Sequence, residues 1–469
     1  MARLAAWSGS EYLRGSVAGI GPVGTAPPAE SWDDPSEKRR MATFMVEGGR
    51  RLSGRIRPAG NKNAALPCLA AAVLAEEPVT LENIPRIRDV LTFLEIVESL
   101  GAIVTWEGDT HVVTIDPRPV VADVIDRDMA ERIRASLLLA GPLLARFGHV
   151  ELPPPGGDII GRRRMDTHFL AFEALGAEVK LNGGLSIRTK GLHGADIFLD
   201  EPSVTGTENA IMAAVQARGH TRLRNAAAEP HVQDLCRLLI AMGARIEGIG
   251  TGILDIEGVD RLGGARYRIG SDHIETGSFI GLAAVTGSDI VIEDAPLEHL
   301  DSTLLGFRRL GVTCSAEGRN LLVHGSGDHV IRRDAFGHVP KIDDGPWPAF
   351  PADLTSIALV TATQCLGTVL VHEKMFESRM YFTDKLVSLG ASIILCDPHR
   401  AVVVGPSPLK GGVVESPDIR AGMALLIAAL GAEGTSRIHN IRQIERGYEA
   451  IDERLVALGA RIRREESDL

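Results

Sequence analysis

The sequence predicts an α/β protein in which one compact unit is repeated six times. The first indication is a recurring helical stretch that ends in Leu-Gly-Ala, or a close variant, before a β-rich run. The second is composition, since 51 Gly and only 4% aromatic residues favour many turns and an aliphatic core. The third is even spacing, because the repeat glycines lie 67 to 79 residues apart, at Gly101, Gly176, Gly243, Gly311, Gly390 and Gly459.

The elements of one unit follow from the local sequence. The repeat Gly tolerates the left-handed conformation that ends a helix. Strand-like runs follow it, for example 102–106 (AIVTW) and 391–395 (ASIIL). A second helix, rich in small residues, leads through another Gly into a further strand, as in 280–293 (IGLAAVTGSDIVIE). Such a unit is too large for a solenoid repeat, so we expect compact modules with closely packed helices inside and sheets outside.

The six units divide three plus three near residues 269–272. We expect a first domain over 62–270, with a mobile loop at 153–164, and a second over 44–61 and 271–469. Residues 1–43 contain Gly and Pro without a continuous apolar stretch, which predicts a flexible leader and not a signal peptide. Met41 is a candidate alternative start.

Charge and cysteine usage exclude several classes of protein. Lys and Arg number 50 against 61 Asp and Glu, a formal charge of −11, so the global basic footprint of a nucleic-acid binder is absent. No apolar run reaches the ~20 residues of a membrane helix. Five cysteines without CxxC spacing indicate free thiols in a reducing cytoplasm. No metal or other cofactor is expected, and the sequence carries no signal for an oligomeric state.

Two motifs indicate an anionic ligand. Lys62 follows a Gly-containing turn at a probable helix start, where its charge and the helix N–H groups favour phosphate; such a Lys alone is more often only solvated. The loop PPPGGDIIGRRR at 153–164 has Pro and Gly around a charged centre, which is typical of a lid. Three adjacent arginines in an acidic chain favour an anion over mere solubility.

The segment 60–67 (GNKNAALP), followed by LAEEPVTLENIPRIRDV, resembles the opening of the enolpyruvyl transferases. The resemblance extends from about residue 44 to 464. It implies two inside-out α/β barrels built from six repeated α/β units. It also implies transfer of the enolpyruvyl group of phosphoenolpyruvate to the 3-hydroxyl of UDP-N-acetylglucosamine, the first committed step of peptidoglycan synthesis, which serves cell wall biogenesis, cell shape and cell division.

The resemblance assigns three catalytic residues. Lys62 contacts the phosphate of phosphoenolpyruvate, Asp158 protonates its methylene carbon, and Asp353 takes the proton of the sugar hydroxyl. The residues alone favour another role for Asp353, an N-cap of a helix beginning at Leu354. Most relatives have Cys, the target of fosfomycin, where this chain has Asp158. We therefore expect resistance to fosfomycin, since a carboxylate offers no thiolate.

Further cations belong to the site implied by the resemblance. Arg163 and Arg446 join Lys62 on the phosphate, while Arg379 and Arg420 hold the carboxylate, both tasks for which a guanidinium is suited. Arg134 matches another arginine of the family. Considered singly, each of these arginines is typical of a surface charge. For three of them a structural ion pair is equally typical: Arg379 with Glu377, Arg420 with Asp418, and Arg446 with Glu445.

The resemblance implies that Asn63 and two segments contact the nucleotide sugar. The segments are 163–168 (RRMDTH) and 203–207 (SVTGT). The family more often has Pro, Val and Leu at Arg164, Met165 and Thr167, and Gly at Thr205. Two alternatives therefore stay open, a different acceptor such as UMP and a non-catalytic nucleotide-sugar-binding protein. The residues implied as contacts in these segments are Arg163, Arg164, Met165, Asp166, Thr167, His168, Ser203, Val204 and Thr205.

Three acidic residues match positions near the family's cleft. They are Glu229, Asp272 and Glu275, and a turn or capping role is equally consistent with their sequence context.

Overall fold

A computed structural model describes residues 40–107, 110–121, 125–157, 160–181 and 183–468. Strand β1 (Arg40–Glu47) begins inside the predicted leader, so the leader prediction extends too far by residues 40–43, which already pair with the C-terminal strand. The rest of that leader lies outside the described residues. Strand β2 (Gly54–Ile56) follows, and both strands belong to sheets of the second half.

Three sheets belong to the first half of the chain. Their orders are β13-β3-β5-β4, β6-β8-β7 and β11-β12-β10-β9. The strands are β3 (Val79–Glu82), β4 (Ile103–Trp106), β5 (Val112–Asp116), β6 (His149–Leu152), β7 (Glu178–Leu181), β8 (Leu185–Arg188), β9 (Asp196–Phe198), β10 (His220–Arg224), β11 (Arg245–Glu247), β12 (Ile253–Glu257) and β13 (Arg266–Arg268).

Three further sheets belong to the second half, together with β1 and β2. Their orders are β15-β16-β14-β2, β17-β18-β20-β19 and β21-β22-β1-β23. The strands are β14 (Asp289–Ile292), β15 (Thr313–Glu317), β16 (Asn320–His324), β17 (Lys341–Asp343), β18 (Gly367–His372), β19 (Ser392–Asp397), β20 (Arg400–Gly405), β21 (Val413–Glu415), β22 (Thr435–His439) and β23 (Arg461–Asp468).

The sheets repeat one topology. In each of the five four-stranded sheets, an edge strand runs parallel to its neighbour, and two antiparallel strands complete the sheet. The same pairing recurs in the second half. The six repeat glycines all have positive φ, between 86° and 110°, as predicted for residues that end a helix.

The helices of the first half are α1 (Lys62–Ala72), α2 (Arg88–Ser99), α3 (Arg127–Arg132), α4 (Ala140–Phe147), α5 (Asp166–Ala174), α6 (Val204–Ala214) and α7 (Pro230–Ala241). Those of the second half are α8 (His273–Val285), α9 (Asp301–Arg309), α10 (Thr355–Ala362), α11 (Thr383–Ser388), α12 (Ile419–Gly431), α13 (Arg442–Glu445) and α14 (Ile451–Ala457). Short 3-10 helices cover Arg134–Leu139, Leu297–His299, Ala335–Gly337, Ala352–Leu354 and Arg379–Phe382.

Small residues allow the central helices to pack inside the sheets, as the sequence predicted. All residues of α8 and α10 are buried, as are Ile419–Leu430 of α12, and the three helices pack on one another. Gly281 of α8 leaves no room for a side chain, since a Cβ there would lie 2.5 Å from Ile357 Cγ2 of α10. In the first half, α1 packs on α7 and α4 on α6.

The chain crosses between the halves at two adjacent places. Asn61 N donates to Gly270 O at 2.8 Å, and Asp272 N donates to Ala59 O at 2.9 Å. Buried apolar residues form two clusters, one within 64–269 and the other within 42–56 and 274–462. The domain bounds stay a prediction, which this separation supports.

Candidate active site

A cavity of about 270 Å³ lies between the two halves of the chain. It is lined by the start of α1, the loop before α5, and the N-terminal ends of α6, α7, α8 and α12. Both halves therefore contribute to one site. Eleven of the residues implied by the resemblance line it: Lys62, Asn63, Arg134, Arg163, Val204, Thr205, Glu229, Asp353, Arg379, Arg420 and Arg446.

Lys62 begins α1, the helix start that the sequence predicted. Asn61 caps this helix, because its side-chain oxygen accepts from the backbone N–H groups of Asn63 and Ala64. Lys62 is only 7% exposed, so the reading of a solvated lysine is wrong here. Its Nζ lies 2.7 Å from Asp89 Oδ2. The start of the helix thus holds a buried ammonium at the positive end of the helix dipole, a favourable place for an anion.

Asp89 joins Lys62 to the second half of the chain. Arg446 Nε donates to Asp89 Oδ1 at 2.8 Å, so one carboxylate binds two cations from different halves. Burial alone would raise the pKa of Asp89, but the charges of Lys62 and Arg446 outweigh it and lower this pKa. These three side chains carry a net charge of +1.

A second group of the same kind is centred on Asp353. Arg379 Nη1 lies 3.1 Å from Asp353 Oδ1, and Arg420 Nη2 lies 3.0 Å from Oδ2. Burial opposes ionisation, but Arg420 and Arg379 together hold the pKa of Asp353 far below its usual range. The alternative role of Asp353 as an N-cap is wrong. It lies in a 3-10 turn without a side-chain cap, and α10 begins at Thr355 instead of Leu354.

A buried glutamate lies behind Arg379. Glu373 is fully buried, and its Oε2 is 3.9 Å from Arg379 Nε. Burial raises the pKa of Glu373 to about 9, despite the charge of Arg379 and helped by the neighbouring Asp344. This shift favours the neutral form of Glu373. Asp353, Arg379 and Arg420 together carry a net charge of +1, as do Asp89, Lys62 and Arg446.

The loop that was predicted as a lid contacts both halves. Arg134 Nη2 donates to Arg163 O at 2.7 Å, which fixes the end of the loop on the first half. Arg162 N donates to Glu377 Oε2 at 2.9 Å, across to the second half. Burial and the charge of Arg163 lower the pKa of Arg134 to about 10, so it remains a cation at pH 7. Asp158 lies outside the described residues.

Much of the predicted nucleotide segment does not line the described cavity. Arg164 pairs with Asp200 at 2.7 Å on the outer side. His168 is buried between Thr205 Oγ1 at 3.1 Å and Asn209 Nδ2 at 3.0 Å, and burial lowers its pKa to about 3. The predicted residues absent from the lining of this cavity are Arg164, Met165, Asp166, Thr167, His168 and Ser203.

Several residues of the cavity wall were not predicted. Asp89 lies in the first turn of α2, a position in which an acidic residue usually indicates only a helix start. His231 and His273 stack with ring centroids 6.2 Å apart, and Trp347 meets His273 edge-on at 6.1 Å. Glu208 lies within α6. No local motif marks these side chains, because tertiary packing brings them together.

The described ranges contain neither a metal-binding cluster nor a helix that could span a membrane. No group of three or more His, Cys, Asp or Glu positioned to hold a metal ion occurs there. Over the same part of the chain, every helix is too short or too polar to cross a membrane.

Asp89→Asn tests how strongly one carboxylate stabilises the two halves. Because it leaves Lys62 and Arg446 buried without their anion, we expect the free energy of unfolding to fall by about 3–5 kcal/mol at pH 7. The folded-state pKa of Asp89 is lowered. The stability that the Asp89 carboxylate contributes is therefore present above its unfolded-state pKa of about 3.9, and it is lost as the pH falls further. Urea titrations of both proteins from pH 7 to pH 3 should show the difference shrinking.

Asp196→Asn is the matched control, since Asp196 pairs with Arg224 at 2.8 Å but is 62% exposed. We expect a loss below about 1 kcal/mol for this surface pair. Inorganic phosphate should restore more stability to Asp89→Asn than to the unaltered protein. Equal stabilities of Asp89→Asn and Asp196→Asn at pH 7 would contradict the account.

Comparisons with known proteins identify the family. The protein-family model EPSP synthase (3-phosphoshikimate 1-carboxyvinyltransferase) matches residues 46–455 of the sequence. UDP-N-acetylglucosamine 1-carboxyvinyltransferase of Bradyrhizobium diazoefficiens is 61% identical over 90% of this chain and 97% of its own. The enzyme of that name from Treponema pallidum is 54% identical over 91% of this chain and 100% of its own.

Solved structures agree in fold. The enolpyruvyl transferase NikO from Streptomyces tendae has a TM-score of 0.81 at 24% identity, covering 91% of this chain and 99% of its own. EPSP synthase from Acinetobacter baumannii has a TM-score of 0.69 at 18% identity, covering 91% and 100%. The predicted fold class is thus confirmed, as is the resemblance. With the repeated sheets and the cationic cavity, these matches show that the chain belongs to the EPSP synthase-like family of enolpyruvyl transferases.

Proposed function

We propose that this enolpyruvyl transferase moves the enolpyruvyl group of phosphoenolpyruvate to the 3-hydroxyl of UDP-N-acetylglucosamine and releases phosphate. The observation that carries the proposal is the pair of cationic groups around Asp89 and Asp353, which face one cavity from both halves. Relatives at 47–61% identity are named for this acceptor.

Phosphoenolpyruvate matches the two groups in charge. Its phosphate would take the place of Asp89 at Lys62 and Arg446, with Arg163 from the loop. Its carboxylate would take the place of Asp353 at Arg379 and Arg420. Arginine suits both tasks because its planar fork binds carboxylate and phosphate through two N–H groups. Each aspartate then acts as a stand-in anion in the free protein.

This exchange explains how Asp353 becomes a base. In the free protein, Arg420 and Arg379 stabilise its ionised form and lower its pKa. A substrate carboxylate shares those guanidinium groups and adds a negative charge nearby, so the pKa of Asp353 rises. Asp353 is then better able to accept the proton of the 3-hydroxyl, at the moment when both substrates are present.

The proposed chemistry is addition followed by elimination. The acceptor oxygen bonds to C2 of phosphoenolpyruvate as Asp353 takes its proton, and C3 gains a proton, which we assign to Asp158 from the sequence. The product is a tetrahedral phosphate ketal. Asp158, left ionised by the first step, takes a proton back from C3, the C2–O bond to phosphate breaks, and phosphate leaves. The cations stabilise the developing charges in a site closed by the loop at 153–164.

The two alternatives are less well supported. UMP as the acceptor would fit the altered segments 163–168 and 203–207, but the curated relatives named above argue for the UDP-sugar. A non-catalytic binding protein need not keep Lys62, Asp158, Asp353 and every cleft arginine. We also propose that Asn63, Val204 and Thr205, together with the less central residues Arg164, Met165, Asp166, Thr167, His168 and Ser203, form or support the nucleotide-sugar site.

The cellular setting belongs to the same proposal. The reaction is the first committed step of peptidoglycan synthesis, so a role in cell shape and division follows from it. The described cysteines are all free, and Cys68, Cys236 and Cys365 are buried. Free thiols fit a reducing cytoplasm.

An acceptor panel tests the function. Phosphate release from phosphoenolpyruvate should be seen with UDP-N-acetylglucosamine, and not with UMP or shikimate 3-phosphate. Asp353→Asn and Lys62→Ala should each lower kcat by about 100- to 10,000-fold, because they remove the base and a phosphate contact. The measurement is a coupled phosphate assay with mass analysis of the product.

Exposed residues of the same type provide the controls. Asp260→Asn and Lys190→Ala should leave kcat within about twofold of the unaltered enzyme, as expected of surface positions. A fully active Asp353→Asn would refute the assigned base. Release of phosphate only with UMP would replace the acceptor and keep the chemistry.

Fosfomycin tests the assignment of Asp158. A carboxylate lacks the thiolate that fosfomycin alkylates, so we expect no time-dependent inactivation. Asp158→Cys should become sensitive, measured as residual activity after preincubation together with the mass of the intact protein. Covalent modification of Asp158 in the unaltered enzyme would sink this prediction.

A further inference from the structure

Three side chains on one wall of the cavity have buried polar atoms without a partner. Glu208 Oε1, Glu229 Oε2 and His231 Nδ1 have no hydrogen-bond partner among the described residues. All three residues line the cavity, and Glu208 is only 1% exposed. Burying an unpaired polar group costs free energy, so such groups are rare unless a ligand supplies the partner.

Rigid elements hold these atoms. Glu208 lies within α6, and Asn209, the residue after Glu208, anchors this helix through its side chain. Asn209 Oδ1 accepts from Gly141 N at 2.7 Å, and its Nδ2 donates to Leu137 O at 2.9 Å. Glu229 is the N-cap residue of α7 and His231 lies in the first turn of that helix. The unpartnered atoms are therefore preorganised, as expected of a binding site.

Burial favours the uncharged forms of these three side chains, unlike the ionised groups around Asp89 and Asp353. Burial raises the pKa of Glu208, and the neighbouring Glu229 raises it further. Burial also raises the pKa of Glu229, against nearby backbone N–H groups that include that of Trp347. Burial lowers the pKa of His231 to about 3. Carboxyl groups and a neutral imidazole thus face the ligand here.

This chemistry selects a neutral ligand with hydroxyl or amide groups. A phosphate or carboxylate gains more from the cations around Asp89 and Asp353 than from these uncharged side chains. A hydroxyl or amide N–H can donate to these oxygens, and a hydroxyl or carbonyl can accept from a protonated carboxyl. The rings of His273 and Trp347 beside His231 add apolar surface suited to the C–H groups of a sugar ring.

We propose that Glu208, Glu229 and His231 form a hydrogen-bonding subsite for the sugar part of the acceptor, with Glu208 as a specificity-determining residue. The inference rests on the proposed function, since it assigns one part of that acceptor to one wall of the same cavity. Glu208 acts on binding of the sugar and has no part in the proton transfers.

The test compares Glu208→Leu, Glu208→Gln and the surface control Glu257→Gln. Glu208→Leu should raise the KM for UDP-N-acetylglucosamine about tenfold and leave the KM for phosphoenolpyruvate within twofold. The Kd of UDP, which lacks the N-acetylglucosamine ring, should not change. Glu208→Gln, whose amide still donates and accepts, should recover much of the affinity. Glu257→Gln should match the unaltered enzyme in all these measurements.

Thermal unfolding gives an independent readout. Because Glu208→Leu removes a buried unpaired oxygen, its melting temperature should rise or stay level while acceptor binding weakens. A lower melting temperature for both Glu208 variants would indicate a structural role and overturn the inference. So would an unchanged KM for the acceptor, or equal weakening of UDP and UDP-N-acetylglucosamine. Absence of turnover by the unaltered enzyme with UDP-N-acetylglucosamine would instead refute the proposed function, and this inference with it.

Discussion

The sharing of two aspartates, Asp89 and Asp353, between paired cations governs the site. Asp89 binds Lys62 of the first half and Arg446 of the second, while Asp353 binds Arg379 and Arg420. Without these carboxylates, four cations would face one cavity and repel one another, at a cost that a low-dielectric site increases. The aspartates relieve that repulsion in the free protein and still leave each group with one positive charge for a substrate anion.

The repeated fold provides the rigidity that this arrangement needs. The N-terminal ends of α1 and α12 lie at the cavity, and Asn61 and Asp418 cap them through their side chains. Lys62 follows its cap directly and Arg420 lies two residues after Asp418, so their positions are fixed by helix geometry instead of by a loop. The helices themselves are held by close packing within each half, as at Gly281. The two halves meet through ion pairs at the cleft and through the paired crossings near Asn61 and Asp272, so cleft occupancy can influence how they associate.

Local patterns predicted the repeat, and the family resemblance predicted the central cations, but neither could predict the partners of those cations. A glycine that ends a helix is a local event, and all six repeat glycines adopt the expected conformation. The partner of Arg446 lies 357 residues earlier in the chain, at Asp89, which by itself resembles an ordinary helix-start carboxylate. Asp353 was assigned to a helix cap by its neighbours, and only the fold brings Arg420 to it. Glu208 has no motif at all, because its significance depends on burial without a partner.

The central claim is that substrate carboxylate displaces Asp353 from its arginines and so converts it into a base. The most direct test is a carbon-13 NMR titration of the Asp353 carboxyl, assigned with Asp353→Asn, with and without a saturated phosphoenolpyruvate analogue such as phospholactate. The account predicts that this carboxyl stays ionised to the lowest pH at which the free protein is folded, and that the bound analogue moves its protonation to higher pH. An identical titration in the free and bound protein would contradict the account.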